Sequence, residues 1–133
     1  MKAPNHLRSV ILCVDDRENK IEVELFKRVL ETAGYTALTA GDAHQALEIF
    51  HKNDVDLVLS EHVGPATSDG PSLTANMKRI KPKVPIAIYS ADWAESPDDM
   101  RFAEMFITKL VSVDELLCMI EKLLTKRPTR IAA

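Results

Sequence analysis

Brief apolar runs, too short to be helices, alternate along this chain with longer stretches of helical periodicity. That alternation narrows the fold more than any other feature. The clearest run is Val10-Ile11-Leu12-Cys13-Val14, unbroken by polar residues and rich in β-branched side chains. Such a run suits a strand buried on both faces, as in a parallel sheet. From Glu18 to Ala33, the residues Ile21, Leu25, Val29 and Ala33 recur at a spacing of four, which predicts a helix with those side chains inward and Gly34 at its end. Tyr35 to Ala40 reads as a second strand. Asp42 is placed to cap a helix running through Lys52, with Ala43, Ala46, Leu47 and Phe50 inward. Asp56 to Ser60 is the third strand, and Gly64 to Pro71 is a loop by composition.

A helix follows over Ser72 to Ile80. Lys81-Pro82-Lys83-Val84-Pro85 breaks it and leads into a fourth strand, Ile86 to Ser90. Pro97 suits the first turn of a helix ending at Ala103. Met105 to Thr108 is the fifth strand. The last helix spans Val113 to Leu124, with Leu116, Leu117, Ile120, Leu123 and Leu124 as its core face. Asp114 and Glu115 near its start, and Lys122 and Lys126 near its end, complement the helix dipole. Five β–α units in alternation imply an α/β fold, a parallel sheet with helices on both faces, and right-handed crossovers leave few topologies.

The chain has 133 residues, enough for one domain with a sizeable core. Residues 1–8 read as an N-terminal extension, 9–125 as the domain and 126–133 as a short basic tail. A net charge of -3 argues against nucleic acid or a membrane surface as partner. No apolar run approaches the roughly 20 residues of a membrane helix, and Met1 to His6 lacks the apolar core of a signal peptide. Cys13 and Cys118 are far apart and form no Cys-x-x-Cys pair, so neither a disulfide framework nor a zinc site is expected; a reduced cytoplasmic setting fits.

In parallel sheets of this kind, functional groups gather at the carboxyl ends of the strands. Four such ends here carry polar groups: Asp15-Asp16, Glu61, Ser90 and Lys109. Each has a plain reading. Acids favour helix starts, a strand-end serine is common, and Glu61 could be a solvated charge. Their convergence is what favours a site, and clustered carboxylates need a cation such as Lys109. Phe106 reads first as core. His62 reads as a surface loop residue, and His44 and His51, seven apart on one helix, lack a third ligand. Trp93 lies in the loop after the fourth strand, at a partner surface or folded over the domain.

In this order and at these strand ends, the chain resembles the receiver domain of bacterial two-component response regulators. The parts are Asp15-Asp16, the run Asp56-Leu57-Val58-Leu59 leading to Glu61, the loop with Pro65, Asp69 and Gly70, then Ser90-Ala91, and Lys109 with Phe106 three residues before it. The resemblance covers roughly Ser9 to Leu124. It implies a flavodoxin-like three-layer αβα fold with strand order 2-1-3-4-5. By the same resemblance, the acidic pair holds magnesium together with the acid at position 61 and the Val63 carbonyl. An aspartate at the position of Glu61 takes phosphate from a histidine kinase. A residue like Ser90 bonds the phosphate, Lys109 pairs with it, and the aromatic at Phe106 reports the change to a face built from the fourth helix, fifth strand and fifth helix.

Three departures follow. Glu61 replaces the acceptor aspartate, extending the carboxylate by about 1.5 Å of chain. In-line attack tolerates little misplacement, about 1 Å costing on the order of 100-fold. The loop has one more residue than usual between Pro65 and Asp69-Gly70, which bears on the carbonyl near Val63. Leu110 stands where the family commonly has proline, so a cis peptide is not expected there.

The resulting expectation is a stand-alone atypical receiver, not an enzyme: a signalling and docking module whose partner is a histidine kinase or a downstream effector, with a homodimer through the same helix–strand–helix face also in view. Magnesium binding is expected to be weak and no cofactor required. Glu61 either partly imitates phosphoaspartate or marks a retired site. Within the family, the rival is a receiver still phosphorylated in the presence of magnesium. Outside it, the rival is a flavodoxin-like enzyme or cofactor binder. A flavin binder needs a phosphate-cradling loop after the first strand, where Asp15-Asp16-Arg17-Glu18 would repel phosphate. An aspartate-nucleophile phosphatase needs Asp-x-Asp there.

Overall fold

A strand that is apolar on both faces can be covered on both, and the central strands here are. The computed structural model describes residues 9–15, 20–61, 72–90 and 101–126. Five strands, β1 (Val10–Val14), β2 (Thr36–Ala40), β3 (Leu57–Ser60), β4 (Ile86–Ser90) and β5 (Met105–Thr108), form one sheet of order β2-β1-β3-β4-β5. Every pairing is parallel, with Val14 opposite both Ala40 and Ser60, and Ser90 opposite Thr108. This is the expected flavodoxin-like α/β order. The helices are α1 (Lys20–Thr32), α2 (Ala43–Lys52), α3 (Leu73–Ile80) and α4 (Val113–Lys126).

Successive strand residues point to opposite faces, and the two faces build two cores. Ile11, Cys13, Leu57, Leu59, Ala87 and Ile107 pack with Leu30 of α1 and with Leu116, Ile120, Leu123 and Leu124 of α4. Leu12, Val14, Val58, Ile86 and Ile88 pack with Ala43, Ala46 and Phe50 of α2 and with Leu73 and Met77 of α3. The result is three layers, with α1 and α4 on one side and α2 and α3 on the other.

Caps and turns set the element ends. Asp42 accepts from Gln45 N at 2.7 Å, while Gly41 N donates to Gln45 Oε1 at 2.7 Å, a reciprocal N-terminal cap for α2. Ser72 caps α3 by accepting from Ala75 N at 3.0 Å. Ser112 and Glu115 form a capping box at the start of α4. Gly34 ends α1 with φ 102°, a left-handed turn that favours glycine. No cis peptide occurs among the described residues.

The inward face of α1 differs from the one expected. Ile21 is 74% exposed and Leu25 58% exposed, whereas Leu30 is fully buried and Phe26 and Ala33 pack against the core. The reason is geometric. A strict spacing of four winds about 40° round the helix at each step, so Ile21, Leu25, Val29 and Ala33 cannot all face one layer. Val23, Phe26, Leu30 and Ala33, at alternating steps of three and four, stay on one side.

Of the helix expected over 97–103, residues 97–100 lie outside the described residues; Arg101 and Phe102 are helical and Ala103 is not. The expected loop from Gly64 to Pro71, the tail beyond residue 126, His62 and Trp93 also lie outside them.

Candidate functional site

The strand ladders carry on for one residue past β1 and β3. Asp15 N donates to Ala40 O at 3.0 Å, and Glu61 N donates to Val14 O at 2.8 Å. Both carboxylate residues are therefore held by backbone bonds to the neighbouring strand. At the end of β5 the chain turns sharply, with Val111 N donating to Thr108 O and Leu110 N to Thr108 Oγ1, each at 3.2 Å.

Side-chain alternation then decides which groups meet. In β1, β3, β4 and β5 the residues facing α1 and α4 include Cys13, Leu59, Tyr89 and Ile107. Counting two further along β1, β3 and β5 reaches Asp15, Glu61 and Lys109. All three line one cleft of about 310 Å³, together with Cys13, Leu59 and Tyr89 of the sheet and Glu22, Val23 and Phe26 of α1. The cleft lies between the carboxyl edge of the sheet and the N-terminal half of α1.

Inside it, Lys109 Nζ is ion-paired with Glu61 Oε1, both side chains being mostly buried. The same ammonium sits 5.5 Å from the ring centroid of Tyr89. On its other contact, Tyr89 stacks with Phe26, ring centroids 5.3 Å apart and planes 14° from parallel. Burial pushes the Glu61 carboxyl up to about 7; a hydrogen bond with Asp15 and the Asp15 charge push the same way, while Lys109 pulls it down. Glu61 is thus shared between a carboxyl neighbour, which favours its proton, and an ammonium, which favours its charge. Cys13 below them is buried, and its thiol is pushed up to about 12, first by burial and then by the charges of Glu61 and Asp15. It is no nucleophile at neutral pH.

Of the residues expected at the site, Asp15, Glu61 and Lys109 line the same cleft. Asp16 and Val63 lie outside the described residues, and Ser90 is described only in its backbone, which ends β4. Phe106 packs with the opposite core, beside α2 and α3, on the far side of the sheet from the cleft. Tyr89, Phe26 and Glu22 were not singled out by sequence reasoning. The signal for Tyr89 was available: it lies two residues beyond Ala87 on β4, on the face that leads to Lys109 on β5.

The resemblance brings magnesium to such a site. A hard dication takes six or more oxygen ligands. Among the described residues no group of three or more His, Cys, Asp or Glu is placed to hold an ion. Asp15 and Glu61 interact with each other, and Glu61 is already engaged by Lys109. Asp15 and Glu61 are the described carboxylates that would face such an ion, and Asp16 and Val63, the other expected ligands, lie outside the described residues. No helix among the described residues is long and apolar enough to cross a membrane.

Comparison with known proteins agrees with this geometry. Residues 11–121 match the model of the response regulator receiver domain. Over 96 residues the chain is 30% identical to the autoinducer 1 sensor kinase/phosphatase LuxN of Vibrio campbellii, covering 72% of this chain and 11% of that protein. The chain spans between 11% and 25% of the length of the curated relatives it matches. Among solved structures, the signal receiver domain of an HD domain-containing protein from Pseudomonas fluorescens Pf-5 superposes with a TM-score of 0.73 at 26% identity, covering 89% of this chain and 95% of that one. The regulator TrrA of Thermotoga maritima, solved in complex with the histidine kinase ThkA, gives 0.71 at 26% identity, covering 87% and 98%.

Proposed function

The chain belongs to the response regulator receiver family, and from that premise we propose that it works as a pseudo-receiver, a two-component signalling and docking module rather than a catalyst. The observation that carries this reading is the direct ion pair between Lys109 and Glu61. In the family scheme the lysine pairs with a phosphoryl group that arrives on an aspartate. Here the longer acid supplies a carboxylate to the lysine without phosphorylation. The imitation is partial, because a phosphoryl group brings about -1.5 to -2 charges and three acceptor oxygens. A glutamate brings one charge, and its pKa near 7 makes even that charge incomplete at neutral pH. Magnesium binding on this reading is weak, since Lys109 already neutralises the cluster.

The test is intact mass after incubation with acetyl phosphate and magnesium. A pseudo-receiver stays at its unmodified mass. A stoichiometric gain of one phosphoryl group restores the rival reading, a receiver still phosphorylated in the family manner.

The partner proposed is a signalling protein, a histidine kinase or a downstream effector. The neighbour TrrA is bound by a histidine kinase, which makes a kinase the first candidate to try. The large apolar side chains that stand exposed among the described residues are Ile21 and Leu25 of α1 and Leu110 and Val113 around the turn after β5. None of the four lines the cleft, but Ile21, Leu25 and Leu110 are chain neighbours of residues that do, Glu22, Phe26 and Lys109. Docking on the α1 side is favoured over the face built from the helix expected over 97–103, β5 and α4 that the resemblance implied. Leu25→Glu should then abolish binding to an identified partner while the fold stays intact. Binding that survives it returns docking to the β5–α4 face.

A further inference from the structure

Tyr89 is one residue from the end of β4, and its ring is in contact on two sides with parts of the molecule that do different things. Phe26 of α1 stacks on it at 5.3 Å. Lys109, the cation of the acid site, lies 5.5 Å from its centroid. The ammonium is held at the same time by Glu61. A continuous line of contacts therefore runs from Glu61 through Lys109 and Tyr89 to Phe26, across β3, β5, β4 and α1.

The helix at the end of that line is unevenly held. Leu30, in its C-terminal half, is its only buried residue. In the N-terminal half Ile21 and Leu25 are exposed, Val23 lines the cleft, and Phe26 lines the cleft while packing against the edge of the core. The Phe26–Tyr89 stack is thus a principal hold on the loosely packed half of α1. Phe106, the residue that the family scheme would make the reporter, packs against the core on the other face of the sheet.

We infer that Tyr89 is a positioning residue that ties the Glu61–Lys109 pair to helix α1, so that a change at Glu61 is transmitted to the exposed Ile21 and Leu25 face. The physical logic is competition for one cation. Lys109 is attracted to the carboxylate and to the electron-rich ring face together. With the Glu61 carboxylate replaced by an uncharged amide, the ammonium settles to a new balance between the Tyr89 ring and the Asp15 and Glu22 carboxylates of the same cleft, and the load on the ring changes. The ring cannot shift without moving Phe26, because stacked aromatic pairs hold a preferred offset. The N-terminal half of α1 follows through Phe26, its residue in contact with both the ring and the core.

This coupling rests on reading the Glu61–Lys109 pair as the signalling centre of a receiver, but its test uses neither a phosphodonor nor a partner. Phosphoryl labelling of the native chain would defeat that reading and leave the coupling standing, while an unresponsive α1 would defeat the coupling alone. The experiment is methyl-resolved NMR of the whole chain, following Ile21 and Leu25 as Glu61→Gln is introduced into the native, Tyr89→Leu, Tyr89→Phe and Phe26→Leu backgrounds. In the native background Glu61→Gln should shift both methyl sets. In Tyr89→Leu that response should fall by at least about threefold, the signature of coupled rather than additive sites. Tyr89→Phe should keep the response, because the ring and not the hydroxyl carries it. Should Tyr89→Leu fail to fold, Phe26→Leu breaks the same line at its other ring and should give the same fall. A response at Ile21 and Leu25 that persists without either ring overturns the inference. So does a response confined to Phe106 and β5, or one that Tyr89→Phe removes.

Discussion

Lys109, at the end of β5, is ion-paired with Glu61, at the end of β3, across the intervening strand β4. The pairing joins the two charged strand-end groups that approach the cleft from β3 and β5. It also places both charges in a half-buried cleft whose walls combine apolar side chains, Val23, Phe26 and Leu59, with the acids Asp15 and Glu22. In such surroundings each charge depends on the other more than it would in water.

Shortening the acid should reopen the chemistry. Glu61→Asp withdraws the carboxylate by one methylene, toward the place from which an aspartate would attack. Intact mass with acetyl phosphate and magnesium should show partial labelling of Glu61→Asp, and labelling of the native chain slower by on the order of 100-fold or more. Equal labelling of the two would show that the extra methylene is immaterial.

The raised Glu61 carboxyl makes stability fall with pH. Its value goes from the ordinary 4.5 to about 7 on folding, so between those limits the folded chain holds the proton more tightly than the unfolded one. The stabilisation is complete below about 4.5 and is lost as pH rises through about 7. Urea unfolding across that range should show native protein losing stability relative to Glu61→Gln, with the gap constant above the window. A gap that moves the other way would mean that Lys109 outweighs burial and Asp15.

The two cysteines should separate cleanly by reactivity. Cys13 is buried with its thiol pushed up to about 12, and Cys118 is exposed on α4. A thiol reagent at mildly alkaline pH should modify one site per native chain, mapping to Cys118 by peptide mass, and both only after unfolding. Modification of Cys13 in native protein would require the cleft to open down to its floor.

The corrected face of α1 predicts an asymmetry between neighbours. Leu30 is fully buried, so Leu30→Ala should cost about 2–5 kcal/mol in chemical denaturation. Leu25 is 58% exposed, so Leu25→Ser should fall within about 0.5 kcal/mol of native. Comparable losses at the two positions would restore the face that strict four-residue spacing suggested.

Magnesium should bind weakly. Titration followed by Trp93 fluorescence should show little saturable change at low millimolar concentration, since Glu61 is engaged by Lys109. Saturation well below that range, abolished by Asp16→Asn, would show that oxygen donors beyond Asp15 and Glu61 complete a true site.

Element order and type were legible in the sequence because each depends on local pattern. Val10 to Val14 could only be a strand apolar on both faces, Asp42 and Ser72 begin helices by their own side chains, and Gly34 ends α1 by its left-handed φ. Asp15, Glu61 and Lys109 were legible as strand-end residues for the same reason, since a parallel sheet collects its carboxyl ends on one edge. What the chain could not fix by itself was which apolar stripe of α1 would turn inward. Ile21-Leu25-Val29 and Val23-Phe26-Leu30 are both apolar; helix geometry favours the second, which continues to Ala33 on one side, and contact with the sheet fixes it. Nor does a two-residue period say which layer a strand face will meet. Tyr89 and Phe106 both look like core in sequence, yet one lines the site and the other lies behind the sheet. That division follows from strand registry and crossover handedness, long-range properties that exist only once β3, β4 and β5 lie side by side.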